Sequence, residues 1–366
     1  MKQFYKSTSC KLLLLVRQSQ ARLYNRLCWC DVMLTVAGYS LHPAHRVVFD
    51  RAMAAAAAAA SDDAAAAGGR FDFDVIVVGA GIMGSCAAHA AASRGARALL
   101  LERFDLLHHL GSSHGASRTI RDAYAKAHYP PMVRLARRLW ADAEAESGYR
   151  VLTPAPQLTV GPPGDASLLA AVGNSGARRV DEDDLAGRWG GAFRGVPDGW
   201  VAAVSELGGG AGFPTFSSHG DPHVYGTPSL ELPGLIKINY DGGPPCDPDG
   251  RDWAGGGGDA ASRVARWIEE FMPDHVEAAG GPVVRQPCMY SMTPDKDFVI
   301  DFLGGEFGDD VVVGAGFSGH GFKMGPAVGR ILAEMAMDGE ARTAAEAGVE
   351  LRHFRISRFE GNAMGN

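Results

Sequence analysis

Three glycines and a carboxylate carry the clearest chemical signal in this chain of 366 residues. Gly79-Ala-Gly81-Ile-Met-Gly84 follows the apolar run Phe73 to Val78, and Glu102 stands directly after Ala98-Leu-Leu-Leu101. Gly79 permits a tight turn, Gly81 lets backbone approach a pyrophosphate, and Gly84 lets the next helix pack on the strand. A helix opening there aims its unpaired N–H groups and its dipole at phosphates. Glu102 stands where a carboxylate takes both ribose hydroxyls. The chemistry implied is dinucleotide binding, with an ordinary βαβ turn as the plain alternative. A second turn, Gly314-Ala-Gly-Phe-Ser-Gly-His-Gly-Phe-Lys323, follows the apolar run Val311 to Val313. Two such turns more than 200 residues apart suggest a flavin held from both ends of one sheet. Backbone N–H groups of the second turn could face the pyrimidine oxygens of the ring and stabilise its reduced form. Lys323 reads either as a surface lysine, the usual fate of that residue, or as a ligand set in the glycine turn.

These residues require strands and helices to hold them. Phe73 to Val78 and Ala98 to Leu101 read as buried parallel strands, with a helix from Ser85 to Arg94 between them. Tyr129 to Glu146 places Met132, Leu135, Leu139 and Trp140 on one helical face. Gln157 to Val160 is strand-like, Asp181 to Trp189 a short acidic helix, and Gly208-Gly-Gly-Ala-Gly212 an abrupt junction. Val224-Tyr225 and Gly234 to Tyr240 read as strands, and Pro244 to Gly258 as a loop. In the second of those strands Leu235, Lys237 and Asn239 alternate as in an edge strand facing water. Ser262 to Met272 is amphipathic helix, and Gly325 to Met337 continues the second turn as another helix.

Composition narrows the class. Apolar residues make up 46% and charged residues 21%, as in a soluble globular protein long enough for two domains. A net charge of −7 argues against nucleic acid and anionic membrane as partners. No apolar run nears the roughly 20 residues that a bilayer requires. The six cysteines show no framework spacing, and the pair Cys28 and Cys30 lacks companions for zinc, so no metal is expected.

Residues 1–72 read as a leader, poorly ordered or preceding the true start near Met53. Lys2, Lys6, Lys11, Arg17, Arg22 and Arg26 also suit a transit peptide. Cys30 to Arg46 resembles the opening of a BTB interaction domain, with too little following to fold as one. From Phe73 on, the chain resembles the FAD-dependent amine oxidase family of sarcosine oxidase and pipecolate oxidase, its plant members above all. The motifs that carry this are Phe73 to Gly84, Ser113-His-Gly-Ala-Ser-Arg-Thr-Ile-Arg121, Tyr225-Gly-Thr-Pro228, Leu235-Ile-Lys237, Cys288-Met-Tyr-Ser-Met-Thr-Pro-Asp295 and Gly314 to Lys323.

The resemblance implies an α/β, glutathione-reductase-like, Rossmann-type FAD domain from residues 73–160 and 283–358. A shortened, sheet-rich substrate domain would span 161–282. It implies FAD joined covalently through Cys288, with Gly79, Gly81, Gly84, Glu102, Ser113, Arg118, Gly316, Gly319, Gly321 and Lys323 around the cofactor. Arg121 and Lys323 match a clamp on the substrate carboxylate, Tyr225 a substrate-site tyrosine, and Arg118 an arginine against the flavin. Lys237 matches the lysine that assists oxygen reduction. The reaction implied is oxidation of N-methyl or cyclic secondary amino acids, with hydride passing to flavin N5 and oxygen released as hydrogen peroxide. A monomer follows from the same likeness. So does a peroxisomal location, although Met364-Gly-Asn366 is not an SKL-type address; the cytosol is the alternative.

Two departures stand out. Asp241 replaces a histidine usual in the family, and a carboxylate there would repel that of the substrate. An internal segment is missing near 208–212, a loss that should leave strand ladder groups unpaired. The rival readings are therefore a truncated, inactive family member and an NAD(P)-dependent dehydrogenase, with an interaction module on residues 30–50 a third.

Overall fold

The computed structural model describes residues 13–17, 73–105, 107–115, 117–206, 212–247 and 259–359. Cys28 and Cys30, the BTB-like stretch, most of the glycine junction and the C-terminal tripeptide lie outside these residues. In chain order the elements are β1 (Leu13–Arg17), β2 (Val75–Val78), α1 (Ile82–Ser93), β3 (Ala98–Leu101), α2 (Tyr129–Ser147) and β4 (Gln157–Gly161). Then come α3 (Ala166–Ser175), β5 (Arg178–Val180), α4 (Glu182–Gly187), β6 (Val201–Ser205), β7 (Thr215–Ser218), β8 (Val224–Pro228) and β9 (Ile236–Tyr240). The chain closes with α5 (Ala260–Phe271), β10 (Val299–Phe302), β11 (Val311–Ala315), α6 (Gly325–Asp338) and α7 (Arg342–Glu346).

The strands form two sheets, ordered β10-β11-β1-β2-β3 and β5-β6-β4-β7-β8-β9. In the first, β2 and β3 pair in parallel as the βαβ signature demands. Their apolar runs are cut by Gly79 and by Glu102, which end each strand where a ligand site opens. Helix α1 packs on α6, and two glycines make the approach possible. A Cβ on Gly329 would lie 2.5 Å from Cys86 Cβ, and one on Gly325 would lie 2.6 Å from Ile82 Cγ1. Phe298, Ile300, Met324 and Ile331 are fully buried in the core between this sheet and its helices.

In this sheet β1 lies between β2 and β11. Leu14 pairs with Val78 on one side and Val313 on the other, antiparallel to both β2 and β11. The facing edges of β2 and β11 thus have backbone partners in β1. Of the leader, these five residues are the ones described.

The second sheet has a separate core in which α5 lays Trp267 flat on Phe216, ring centroids 5.4 Å apart at 4°. Gln157–Gly161 belongs to this sheet, between β6 and β7. The β8–β9 hairpin forms its edge and carries Tyr225 and Lys237 toward the first sheet.

Candidate active site

The dinucleotide end forms where β2 turns into α1. Gly79 has φ of +103°, a conformation that side chains other than glycine's rarely adopt. Gly81, the N-cap of α1, brings no side chain of its own to the helix amides, and the first turn holds no acidic residue. Its amides are thus suited to an anion. Ser113 Oγ accepts from Ile82 N at 3.0 Å, closing the loop 111–121 over that helix end. A Cβ on Gly81 would crowd the same oxygen at 3.0 Å. Gly84 is buried, within the first turn of α1. Glu102 accepts from Ala80 N at 2.8 Å and from Arg103 N at 2.8 Å, with His108 Nε2 at 3.5 Å. Desolvation works against its charge, yet the amides of Ala80, Phe104 and Arg103 and the neighbouring His108 hold it below the usual carboxylate range. A charged acid at the end of β3, an open helix N-terminus and a positive-φ glycine fit a dinucleotide's ribose and phosphates.

The second turn is equally constrained. Gly316 and Gly319 have φ of +61° and +79°. A side chain on Gly319 would strike the Tyr290 ring at 2.7 Å, and one on Gly321 would strike Phe317 at 2.6 Å. Lys323 follows, its Nζ donating to Tyr124 OH at 3.1 Å. Desolvation lowers its pKa to about 7, Arg121 pushes the same way, and Asp241 opposes both. Arg121 also lies over the Tyr124 ring, its Cζ 6.0 Å from the centroid. His320 approaches Tyr124 OH with Nδ1 at 3.4 Å. Two cations and a phenol thus converge, with Asp241 acting on Lys323 and Asp122 on Tyr124.

A second cluster lies across the crevice. Lys237 Nζ donates to Ser117 O at 3.2 Å, and Ser117 Oγ donates to Glu231 at 3.2 Å. Arg118 stacks over Phe322 at 4.9 Å and donates to Ser117 O at 2.8 Å and to His114 O. Burial lowers the Lys237 pKa and Arg118 lowers it further, while Glu231 and Cys288 oppose. Cys288 is open to solvent on one side, yet the protein around it still pushes its thiol up, against the pull of Arg118 and Lys237. Tyr225 OH sits 3.3 Å from Tyr290 OH between the two clusters.

The site residues expected from sequence thus fall into groups: Gly79, Gly81, Ser113 and Glu102 at the start of α1, Arg121 and Lys323 about Tyr124, and Arg118, Lys237, Tyr225 and Cys288 near Ser117 and Tyr290. Five others join them that sequence reading passed over: Tyr124, Tyr290, His320, His223 and Glu231. Tyr290 and His320 sit inside motifs already singled out, and Tyr124 lies three residues beyond Arg121. His223 and Glu231 had no local signal, because they reach the site through the β8–β9 hairpin. Asp241 is not a bare charge. Its Oδ2 is 3.3 Å from His223 Nδ1, and against desolvation His223 and Tyr290 hold its carboxyl below the usual carboxylate range.

Comparison with known proteins agrees with this geometry. A family model described as DAO, FAD dependent oxidoreductase, matches residues 74–210 and 199–335. The two matches overlap around the glycine junction. A probable sarcosine oxidase of Arabidopsis thaliana is 41% identical over 399 residues, covering 80% of this chain and 94% of the relative. About a hundred positions of that alignment have no counterpart among this chain's residues. Peroxisomal sarcosine oxidase of Homo sapiens is 29% identical, covering 78% of this chain and 96% of the relative. Among solved structures, NikD, an amino acid oxidase of nikkomycin biosynthesis, superposes with a TM-score of 0.62 at 17% identity, covering 77% and 97% of the two chains. That likeness shows the fold. An FAD-dependent family excludes the reading as an NAD(P)-dependent dehydrogenase, and the chain belongs to the DAO family of FAD-dependent oxidoreductases, among its sarcosine oxidase-like amine oxidases.

Proposed function

We propose that this protein oxidises secondary amino acids of the N-methyl or cyclic kind, such as sarcosine or pipecolate. The observation that carries the reading is the convergence of Arg121 and Lys323 on a crevice lined by Tyr124, Tyr225 and Tyr290. A planar fork and a point charge suit a single carboxylate. That carboxylate would restore full charge to Lys323 and fix the amino acid with its α-carbon facing the first sheet. Gly79, Gly81, Gly84, Ser113 and Glu102 would hold the adenosine and pyrophosphate of FAD, and Gly316, Gly319 and Gly321 its ring. Cys288 would tether it. FAD, when bound, supplies the acceptor for a hydride and passes the electrons to oxygen, which leaves as hydrogen peroxide. Lys237, lodged beside Arg118, would stabilise negative charge developing on oxygen. Arg118 would keep the ring side of the crevice positive. The relatives named peroxisomal and monomeric favour a monomer working in peroxisomes; among the described residues no helix is long and apolar enough to cross a membrane.

One observation favours a second reading. The hundred or so positions absent relative to the Arabidopsis protein would weaken the adenosine end, and a chain unable to hold FAD would be an inactive remnant. The spectrum of purified protein separates the two. Yellow protein that keeps its colour in an acid-precipitated pellet, bleaches with sarcosine or pipecolate without oxygen, and forms peroxide with it supports the oxidase. Colourless protein supports the remnant, and flavin released by acid removes Cys288 from its proposed role.

A further inference from the structure

Lys323 begins a chain of hydrogen bonds that crosses to the loop before β10. Its Nζ donates to Tyr124 OH at 3.1 Å, that hydroxyl is 3.4 Å from His320 Nδ1, and His320 Nε2 is 3.2 Å from Lys296 O. The far end fixes the direction of the whole chain. A backbone carbonyl can only accept, so the hydrogen of the ring is on Nε2. Nδ1 of a neutral imidazole is then bare and accepts from the Tyr124 hydroxyl. The phenol oxygen keeps its lone pairs for Lys323.

Neutrality follows from what surrounds the ring. His320 packs against Phe298, Tyr129 and Tyr124, with centroids 4.7, 4.9 and 5.6 Å away. Desolvation in this aromatic cage lowers its pKa to about 3; Lys323 and Arg121 push the same way, and the Lys296 carbonyl and Asp297 oppose them. The other charged groups that face the chain are Asp122, which acts on Tyr124, and Asp241, which acts on Lys323. We propose that His320 is a positioning residue of the carboxylate clamp: by holding the Tyr124 hydroxyl proton it makes the phenol an acceptor for Lys323, and so keeps that lysine charged and ready for a ligand carboxylate. Without His320 the hydroxyl turns freely and can donate to an uncharged Lys323, which favours loss of the lysine's proton. His320 acts through Tyr124 and touches no reacting atom. This deepens the function proposed above and rests on it.

The test follows Lys323 across pH in two ways. One is affinity for sarcosine, read from the absorbance of the flavin-loaded protein without oxygen. The other is urea unfolding, which needs no substrate. His320→Leu removes the acceptor at Nδ1, whereas His320→Asn puts an amide oxygen near the same place. In His320→Leu, the decline in affinity and the rise in stability should both begin about one pH unit lower, the scale of one hydrogen bond to a charged group. His320→Asn should keep the wild-type onset. Tyr124→Phe should lower the onset at least as far, and adding His320→Leu to it should lower it no further, since His320 acts only through the hydroxyl. An unmoved onset in His320→Leu, even with weaker binding at every pH, would overturn the proposal, as would shifts that add in the double variant. If His320→Leu fails to fold, His320→Gln serves instead, because it keeps a polar atom toward Lys296 O and offers none at Nδ1. The same shift is expected, and an unmoved onset overturns the proposal. Failure of any secondary amino acid to bleach the wild-type flavin would count against the function itself, while the unfolding curves still report on His320.

Discussion

Lys237 and Lys323 face one crevice from the two sheets, and their surroundings differ in a way that separates their work. Lys237 rests on a backbone carbonyl, with Glu231 near enough to oppose the loss of its proton. Lys323 rests on the hydroxyl of Tyr124, beside a second cation, and drops to about 7. The first lysine carries its counter-charge with it; the second awaits one from a ligand. A permanent cation suits a role that must persist through each turnover, and a cation completed by its ligand suits recognition.

The largest effect should come from removing the permanent charge. Lys237→Met should slow reoxidation of reduced flavin by about 100–1000-fold, the scale of losing one preorganised charge stabiliser, and leave reduction by substrate nearly as fast. Stopped-flow measurement of both half-reactions reads this. Equal slowing would erase the distinction between the lysines.

Next comes the clamp. Lys323→Met or Arg121→Met should raise KM for sarcosine about 10–100-fold, since a hydrogen bond to a charged group contributes roughly 1.5–3 kcal/mol. Reoxidation by oxygen should be unaffected in both variants, and unchanged KM would place the carboxylate elsewhere.

The smallest effect is in pH. Above about 7 Lys323 loses its proton, so affinity for sarcosine should decline between pH 7 and 9, and Lys323→Met should flatten that decline. The linked change in stability has the opposite sign. The folded pKa lies below the 10.5 of an ordinary lysine, so between about 7 and 10.5 the unfolded chain holds more protons and this residue's contribution to stability increases with pH. Urea unfolding across that window should show the slope in the wild type and lose it in Lys323→Met.

Much of this arrangement is legible in the residues themselves. The βαβ unit with Gly79 and Glu102, the helix α2, and the second turn running into α6 follow from periodicity and glycine placement, because local geometry decides them. The short strands β5, β7 and β10 and the helix α3 escape such reading. Thr215–Ser218 and Arg178–Val180 are strands because of the neighbours they pair with, and their own alternation is too brief to signal it. The Asp241 environment escaped for the same reason. From sequence it is an unwelcome carboxylate, and its partners His223 and Tyr290 lie 18 and 49 residues away. The position of β1 was least legible of all, since a leucine run in a basic leader says nothing of a sheet almost 300 residues further on.

That last pairing sets an order of assembly. Leu13–Arg17 precedes β2 by some sixty residues and can join it early, but its other edge meets β11, at Val311–Ala315. Until that point is synthesised the edge of β1 stays open, with backbone groups free to template on another chain. Contacts of such long sequence separation close slowly. The first sheet of this protein is therefore the last to be sealed, and the helix α6 that covers it arrives only after the closing strand.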